Sequence, residues 1–525
     1  MFLSRDSQVW FNGLPRRGVG RVDSRGISVN ETISRRDILQ AAAALTAAGP
    51  LAACATRPHD AVVAADLDAV ATADAIRNGA FTRAEALEAA VNRARAINPA
   101  INAIATEAYD RAKTAPAAPS AGGPFEGVPT FIKDLDDVRG LPTHSGSRST
   151  GRAPAKTQGP YVDALEKAGL VFLGKSTTPE FGLTSTTEPI LGGPTRNPWN
   201  TGHSSGGSSG GAAALVAARI VAIAHATDGG GSIRVPAACC GVFGLKPSRG
   251  RSVPMGRPVG PVEISIGHAV TISVRDSARW LAVTERTGSD QVFAPVGNVG
   301  EPTRRRLRIA LDLETITGVD LDPEVRAAVE ATARQCEALG HPVEIAPLAL
   351  AKREFMEAFT LYWAAGTAQV VDGIEHTLGR PATEADLEPW TLGLRGYFLA
   401  HRTGLAAAVA TLRASVATCE AFFTRYDLLL TPTVAQLPPA LGHLGPDVPF
   451  EQYFERLMKY VGFTPVQNAA GQPAMSVPLH WSSSGLPIGS HFAARAGDER
   501  TLLELAYQLE AAHPWRDRKA PVHAV

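Results

Sequence analysis

Residues 202–251 read GHSSGGSSGGAAALVAARIVAIAHATDGGGSIRVPAACCGVFGLKPSRGR. A Gly/Ser loop leads into a small-residue helix over 212–219, then a buried strand over 220–226, then a second glycine cluster that ends at Ser232. Glycines at this density let backbone N–H groups turn inward and line a concave site. The stretch therefore predicts two loops that meet at one edge of a sheet.

A flexible linker is the alternative for residues 202–211, because Gly/Ser runs commonly join separate units. Here the chain continues directly into apolar core residues over 212–226, which favours a folded loop. Ser232 follows Gly229, Gly230 and Gly231, so its hydroxyl would have several amide donors beside it. Acyl transfer needs this combination of a nucleophile and donors aimed at the developing oxyanion.

Several segments resemble the amidase signature family. They are SSGG at 208–211, TDGGGSIR at 227–234, PA at 236–237, GVFGLKP at 241–247 and, for the lysine motif, GVPTFIKD at 127–134. The resemblance covers about residues 65–515, and Ala226 departs from it where a glycine is usual. It implies a Ser–Ser–Lys triad with Ser232 as nucleophile, Ser208 as bridging serine and Lys133 as base.

The fold class predicted is α/β, because a strand over 308–312, a helix over 322–339 and a strand over 341–345 follow one another. The family resemblance implies more. It predicts a single large domain with a mixed, twisted β-sheet covered by helices on both faces and a helical insertion at the substrate pocket.

A serine hydroxyl becomes a useful nucleophile only when a base takes its proton. His203 and His225 flank the signature, but neither lies in a recognisable Ser–His–Asp context. A lysine serves as base if burial and cationic neighbours depress its pKa. Lys133 follows an apolar run, which favours burial; the alternatives are a surface lysine or an ion pair with Asp134 or Asp136.

Two charged residues bracket the nucleophile loop, Asp228 and Arg234. Substrate binding is one interpretation, and a buried ion pair that supports the loop is the favoured one. The backbone amides of residues 229–232 are the predicted oxyanion donors. We expect Ser205 and Ser209 to satisfy backbone groups rather than to react.

The amino-acid composition limits the kinds of protein that this chain could be. The 525 residues are 45% hydrophobic and carry 51 basic and 51 acidic side chains, and no basic patch points to nucleic acid. The five cysteines form no CxxC pair and no HExxH motif is present, so we expect neither a metal nor an organic cofactor. Cys239 and Cys240 are predicted to be buried free thiols. The expected partner is a small-molecule amide substrate, and a homodimer is left open.

The first residues resemble a targeting segment. SRRDIL at 34–39 matches a twin-arginine motif, and an apolar run leads to LAAC at 51–54. We expect residues 1–54 to be a twin-arginine signal peptide, 55–64 a linker, 65–515 the amidase domain and 516–525 a tail. Cys54 is the lipidation candidate, with ordinary cleavage near Ala53 as the alternative. The expected location is the periplasm, with membrane contact only through such a lipid anchor.

Other expectations concern single elements. Thr82–Glu85 forms a capping box that begins a helix, and Asn98–Pro99 is expected to end it. Aromatic residues over 355–423 are expected mostly to pack in the core, with some walling the substrate pocket. His491 stands where glutamine is common in the family, and its role is left open.

The predicted function is hydrolysis of a carboxylic amide through an acyl-enzyme. A glutamine-dependent amidotransferase subunit and a non-catalytic envelope binding protein are the alternatives. Fragments such as GRPATEAD at 379–386 are most similar to bacterial amidases of the 6-aminohexanoate-cyclic-dimer hydrolase type. Residues 362–367 do not match that type clearly, so the substrate is not carried over.

Overall fold

The computed structural model describes residues 65–114, 122–256 and 259–524, which belong to one unit, Arg57–Val525. The twin-arginine motif and Cys54 lie outside the described residues. The strands are β1 Ile104–Glu107, β2 Pro129–Lys133, β3 Val171–Ser176, β4 Arg196–Asn197, β5 Asn200–Ser204, β6 Ile223–Asp228, β7 Phe243–Lys246, β8 Ile266–Thr271, β9 Ile309–Leu311, β10 Val343–Ile345, β11 Leu428–Pro432, β12 Ala474–Trp481 and β13 Pro487–Ala493.

Helices surround these strands. They are α1 Ala69–Arg77, α2 Arg83–Ile101, α3 Tyr109–Thr114, α4 Pro160–Lys167, α5 Gly210–Ala217, α6 Arg234–Cys240, α7 Val274–Thr284, α8 Pro323–Ala338, α9 Lys352–Leu378, α10 Pro389–His401, α11 Leu405–Phe422, α12 Phe450–Tyr460, α13 Pro465–Ala470 and α14 Glu499–Ala512. Short 3-10 turns lie at Glu180–Gly182, Arg402–Gly404 and Trp515–Asp517.

The main sheet has eight strands in the order β10-β9-β11-β13-β12-β7-β8-β6. Strands β10, β9 and β11 are parallel, and the pairs from β11 onward are antiparallel. A separate sheet has the order β1-β3-β2, with β2 parallel to β3. The mixed α/β architecture predicted from the sequence is confirmed.

Helices cover both faces of the main sheet. On one face, Met475 and Val477 of β12 share a buried core with α7, α8 and α14. On the other face lies α6, where a Cβ placed on Gly489 of β13 would lie 2.6 Å from the Cβ of Ala238. Glycine is therefore needed at this point for the helix to reach the sheet.

The capping box at the start of α2 is confirmed, since Thr82 and Glu85 exchange both hydrogen bonds. The expected end of this helix at Asn98–Pro99 is wrong, because α2 continues to Ile101 with Pro99 inside it. A proline removes only one backbone donor and lies here in the last turn, where few residues follow it. Asn102 then ends the helix in the left-handed conformation, with φ 51°.

Helices α10 and α11 together form the one described stretch, Pro389–Phe422, that matches a membrane span in length and mean hydropathy. It consists of helices of 13 and 18 residues separated by the turn at Arg402–Gly404. Each is shorter than the roughly 20 residues that span a bilayer. Both pack against α9, so we treat them as helices of the folded domain.

Candidate active site

Lys133 and Ser208 meet in the interior of the protein. Lys133 is the last residue of β2, and its Nζ lies 2.7 Å from Ser208 Oγ and 3.1 Å from Thr227 Oγ1. Lys133 is fully buried, and Ser208 is nearly so. A lysine in this position donates to the serine when charged and accepts its proton when neutral.

Strand β6 holds the end of β2 in place. The Thr130 hydroxyl donates to the carbonyl of Ile223, and the Lys133 N–H donates to Nδ1 of His225 at 3.3 Å. The other ring nitrogen of His225 lies 3.9 Å from Asp136. Both nitrogens of this histidine are thus directed at groups other than Ser232.

A neighbouring ion pair involves the second lysine of this region. Asp134, next to Lys133 in sequence, lies 3.1 Å from the buried Lys175. Burial lowers the pKa of Lys175, and the charge of Asp134 opposes that shift.

The chain around Ser208 requires glycines. The peptide bond between Gly207 and Ser208 is cis. A Cβ on Gly207 would lie 2.4 Å from the carbonyl oxygen of Thr186, and a Cβ on Gly182 would lie 3.1 Å from Ser208 Oγ. The serine loop therefore packs closely against Thr186 and Gly182, and side chains at positions 207 and 182 would disturb this packing.

Ser232 lies two residues before the start of α6, between Gly231 and Ile233, with 8% of its surface exposed. It lines a cleft together with Gly230, Gly231 and Gly207, the residue before Ser208. Gly231 has φ +133°, and a Cβ there would lie 2.3 Å from the Thr464 hydroxyl. A side chain at position 231 would therefore displace the loop that carries the serine.

Asp228 and Arg234 form a buried ion pair behind this loop. Arg234 Nη2 lies 2.9 Å from Asp228 Oδ1, and Nε lies 3.0 Å from Oδ2. The same carboxylate accepts the backbone N–H groups of Gly231 at 2.7 Å and Ile233 at 3.0 Å. Burial alone would raise the pKa of Asp228, but the charge and hydrogen bonds of Arg234 hold it well below its ordinary value. The carboxylate thus shapes the loop on both sides of Ser232.

His491, whose role the sequence left open, belongs to this buried cluster. Its Nε2 lies 3.0 Å from Arg234 Nη1, and its Nδ1 lies 2.9 Å from the Thr431 hydroxyl. Burial and the charge of Arg234 lower the pKa of His491 well below its ordinary value. A neutral imidazole here accepts from Arg234 and donates to Thr431, so it supports the ion pair.

Lys246, from the GLKP segment, is buried beside the same cluster. Burial, followed by the charge of Arg234, lowers its pKa to about 7. Its ammonium donates to the carbonyl of Pro247 at 2.8 Å.

The cleft at Ser232 is partly open to solvent, and the space between its walls, with open solvent included, is about 660 Å³. Its walls come from the loop after β3, from the serine loops and from α9, α10 and α12. The lining residues are Gly182, Leu183, Thr184, Ser185, Gly207, Gly230, Gly231, Ser232, Val235, Met356, Phe359, Thr360, Trp363, Trp390, Leu394, Phe454, Leu457, Met458, Val461 and Pro465.

Some site residues were not singled out from the sequence. Thr227 lies within the quoted signature, and its contact with Lys133 Nζ had no separate signal. Phe359 and Trp363 were named only among many aromatics, although Phe355, Phe359 and Trp363 recur every four residues and so share one face of a helix. That spacing is the signal that could have identified them.

Two adjacent cysteines, Cys239 and Cys240, lie at the end of α6. Cys239 and Cys240 are buried and free, as predicted. In the ranges that the structure describes, no three His, Cys, Asp or Glu side chains gather where they could hold a metal ion.

Comparison with known proteins identifies the family to which this chain belongs. The Amidase family model matches residues 85–503. A Mycobacterium tuberculosis protein named "Putative amidase AmiC" is 44% identical over 87% of this chain and 96% of its own length. The 6-aminohexanoate-cyclic-dimer hydrolase of Paenarthrobacter ureafaciens is 38% identical over 86% of this chain and 96% of its own length.

A solved structure of 6-aminohexanoate cyclic dimer hydrolase superposes with a TM-score of 0.80 at 34% identity, covering 87% of this chain and 99% of that one. The chain belongs to the amidase signature family, as the sequence resemblance predicted. It is a hydrolase that acts on the carbon–nitrogen bond of amides. The alternative of a non-catalytic binding protein is therefore set aside.

Proposed function

We propose that this amidase works through an acyl-enzyme on Ser232, with Ser208 and Lys133 as a proton relay. The observation that carries the proposal is the 2.7 Å contact between Lys133 Nζ and Ser208 Oγ, beside a cleft that Ser232 lines. Neutral Lys133 takes the proton of Ser208, which takes that of Ser232.

The covalent steps balance as in other acyl transfers. Ser232 Oγ bonds to the amide carbon, the carbon–nitrogen bond breaks, and the relayed proton leaves on the amine. Water then attacks the ester with its proton passing to the same relay, and the acid is released with Ser232 restored. Since the Gly231 N–H donates to Asp228, we assign the oxyanion to the amides of Gly229, Gly230 and Ser232.

The experiment is product analysis on an amide panel with wild type, Ser232→Ala and Lys133→Ala measured together. The panel holds aliphatic and aromatic amides, anilides, esters, glutamine, and linear and cyclic oligomers of 6-aminohexanoate, because a relative is named for hydrolysing the cyclic dimer. Wild type alone should release acid and amine. Loss of the base should lower kcat by roughly 10²- to 10⁴-fold.

Thr227→Val is the matched variant for Lys133→Ala. It removes one hydrogen-bond partner of Lys133 Nζ and leaves the base in place. We expect a smaller loss of kcat than for Lys133→Ala. Full activity of Lys133→Ala at neutral pH would refute the base assignment, and glutamine turnover that requires a partner protein would favour the amidotransferase alternative.

We also propose export by the twin-arginine route, based on the motif at 34–39 and the LAAC segment at 51–54. Mass spectrometry of the mature protein from membrane and soluble fractions tests it. A lipid-modified N-terminal Cys54 supports an anchored lipoprotein, and an unmodified N-terminus near residue 54 supports a free periplasmic enzyme. An uncleaved chain in the cytoplasm contradicts the proposal.

A further inference from the structure

The substrate cleft is apolar on nearly every side. Its described lining consists of glycines, hydroxyl residues and apolar or aromatic side chains, with no charged residue among them. The four hydroxyls are those of Thr184, Ser185, Ser232 and Thr360. The lining therefore offers a substrate apolar surface and four hydroxyl groups.

An aromatic row on α9 contributes Phe359 and Trp363 to one wall. Phe355, Phe359 and Trp363 stack in succession, with ring centroids 6.2 and 6.0 Å apart. A Cβ on Gly230 would lie 3.3 Å from the Phe359 ring, and a Cβ on Gly229 would lie 3.2 Å from the Trp363 ring. Phe359 and Trp363 therefore lie close to the two glycines whose amides we assign to the oxyanion, and we expect the acyl group of a bound substrate to lie near these two rings.

Helices α10 and α12 form another wall with Trp390, Leu394, Phe454 and Leu457. The Trp390 ring lies 4.5 Å from the Tyr453 ring, and its Nε1–H donates to the carbonyl of Leu183 at 3.2 Å. Its polar atom is satisfied inside the protein, and its ring contributes apolar surface to the cleft.

The ionisable groups near the site are engaged behind its walls. Asp228 and Arg234 bind one another, and Lys133 contacts Ser208 and Thr227. Glu180 accepts from the hydroxyls of Ser147 and Thr391. A carboxylate or ammonium on a substrate would lose its hydration in the cleft without gaining a partner from the described lining, which is unfavourable.

We propose that the cleft selects neutral amides whose acyl part is an apolar chain or ring, and that it rejects amides with a charge on the acyl part. Phe359 and Trp363 are the specificity-determining residues on one wall, and Trp390 and Leu394 those on the other. This inference rests on the proposed acyl-enzyme at Ser232, since the position of the acyl group follows from that nucleophile.

The test measures the rate at which two fluorophosphonates of equal length label Ser232 in the full chain. One probe carries a plain alkyl chain, and the other ends in a carboxylate. Ser232→Ala is the blank, because labelling forms the Oγ–phosphorus bond as fluoride leaves. We expect the alkyl probe to react at least about tenfold faster, and each added methylene in short chains to raise the rate constant roughly fourfold.

A matched pair of variants on α12 tests whether the uncharged lining causes the difference between the two labelling rates. Met458→Lys places a positive charge in the cleft lining, and Gln452→Lys places the same charge on the exposed side of that helix. Met458→Lys should speed labelling by the carboxylate probe and slow labelling by the alkyl probe. Gln452→Lys should leave the ratio of the two rates as in wild type.

The outcomes distinguish a failure of the proposed selectivity for apolar acyl groups from a failure of the proposed acyl-enzyme at Ser232. Equal rates for the two probes, or a faster reaction of the carboxylate probe with wild type, overturn the inference and leave Ser232 as nucleophile. No labelling of folded wild type by either probe overturns the proposed acyl-enzyme, and the inference with it. If Met458→Lys does not fold, the wild-type ratio still decides.

Discussion

At the scale of single residues, the active site depends on a carboxylate that no substrate is expected to touch. Asp228 binds Arg234 and also accepts two backbone N–H groups of the serine loop. The Asp228 side chain thereby neutralises the buried charge of Arg234 and also fixes the backbone of the serine loop. The loop geometry is consequently sensitive to the protonation state of Asp228.

Asp228→Asn should destabilise the protein strongly, because it leaves the buried Arg234 without its counter-ion. We expect a loss of about 3–5 kcal/mol in the free energy of unfolding at pH 7. Chemical denaturation measures this loss. Glu455→Gln is the control, since it breaks a surface pair with Lys459 and should change stability little.

The pH dependence of Asp228→Asn has a definite sign. The folded-state pKa of Asp228 lies below its ordinary value, so the stabilising contribution is complete above the unfolded-state pKa of about 3.9. It declines as the pH falls from there toward the folded-state pKa. The difference between wild type and variant should therefore shrink at pH 3, and a difference that grows on acidification would contradict this account.

Much of the residue-level site could be predicted from sequence by resemblance. Each of the predicted site residues lies within a short, continuous sequence motif, so it can be recognised from this one sequence. These residues are Ser208, Ser232, Lys133 and the charged pair Asp228 and Arg234. The partner of His491 could not be predicted, because Arg234 lies 257 residues away in the chain and only the fold brings them together.

At the scale of elements, α10 is anchored beside the site by two buried carboxyl groups. Glu180 accepts from the Glu388 N–H and the Thr391 hydroxyl, and Glu388 accepts from the Ile190 N–H. Burial, and then the negative charge of Glu180, raises the pKa of Glu388 to about 8. Trp390 lies in the same first turn, so this anchor also positions a wall of the cleft.

Glu388→Gln should stabilise the protein at alkaline pH. The folded-state pKa is raised, so the contribution of Glu388 is complete below its unfolded-state pKa and is lost as the pH rises toward 8. Glutamine mimics the neutral carboxyl group and removes that loss. The thermal midpoint of the variant should exceed that of wild type at pH 8.5 and match it closely at pH 5.

Glu384→Gln controls for net charge in this prediction, because it removes an exposed carboxylate four residues earlier. A Glu388→Gln variant that is less stable than wild type at pH 8.5 would show that Glu388 is held as a carboxylate.

Element boundaries were predicted well where a local signal exists. The helix predicted over 322–339 is observed as α8, Pro323–Ala338, with Asp322 as its N-cap. The end of α2 was missed because proline is tolerated where only a final turn remains. The walls of the cleft were not predictable in detail, because α9, α10 and α12 meet there from segments separated by long stretches of chain.

At the scale of the whole molecule, Arg251 connects its own segment to two others that are distant in sequence, 285–294 and 497–499. It forms buried ion pairs with Glu285 at 2.8 Å and Glu499 at 2.9 Å, and it donates to the carbonyls of Ala294 and Gly497. The end of the signature stretch is thereby attached to α14.

Arg251→Met should lower the free energy of unfolding by about 3–5 kcal/mol, because two buried carboxylates lose their partner. The cleft lies elsewhere, so kcat/KM of the folded fraction should remain close to wild type. Denaturation and kinetics on the same preparation measure both. Arg305→Met, which breaks an exposed contact with Asp427, is the control, and equal stability of the two variants would count against the role of Arg251.

The two cleft tryptophans give this enzyme a built-in optical reporter. Of the seven tryptophans in the chain, Trp363 on α9 and Trp390 on α10 line the cleft. The described indoles Trp199, Trp280, Trp481 and Trp515 lie outside that lining. A ligand that displaces water from the two rings will alter their emission, so intrinsic fluorescence can follow occupancy of the site without any label or turnover.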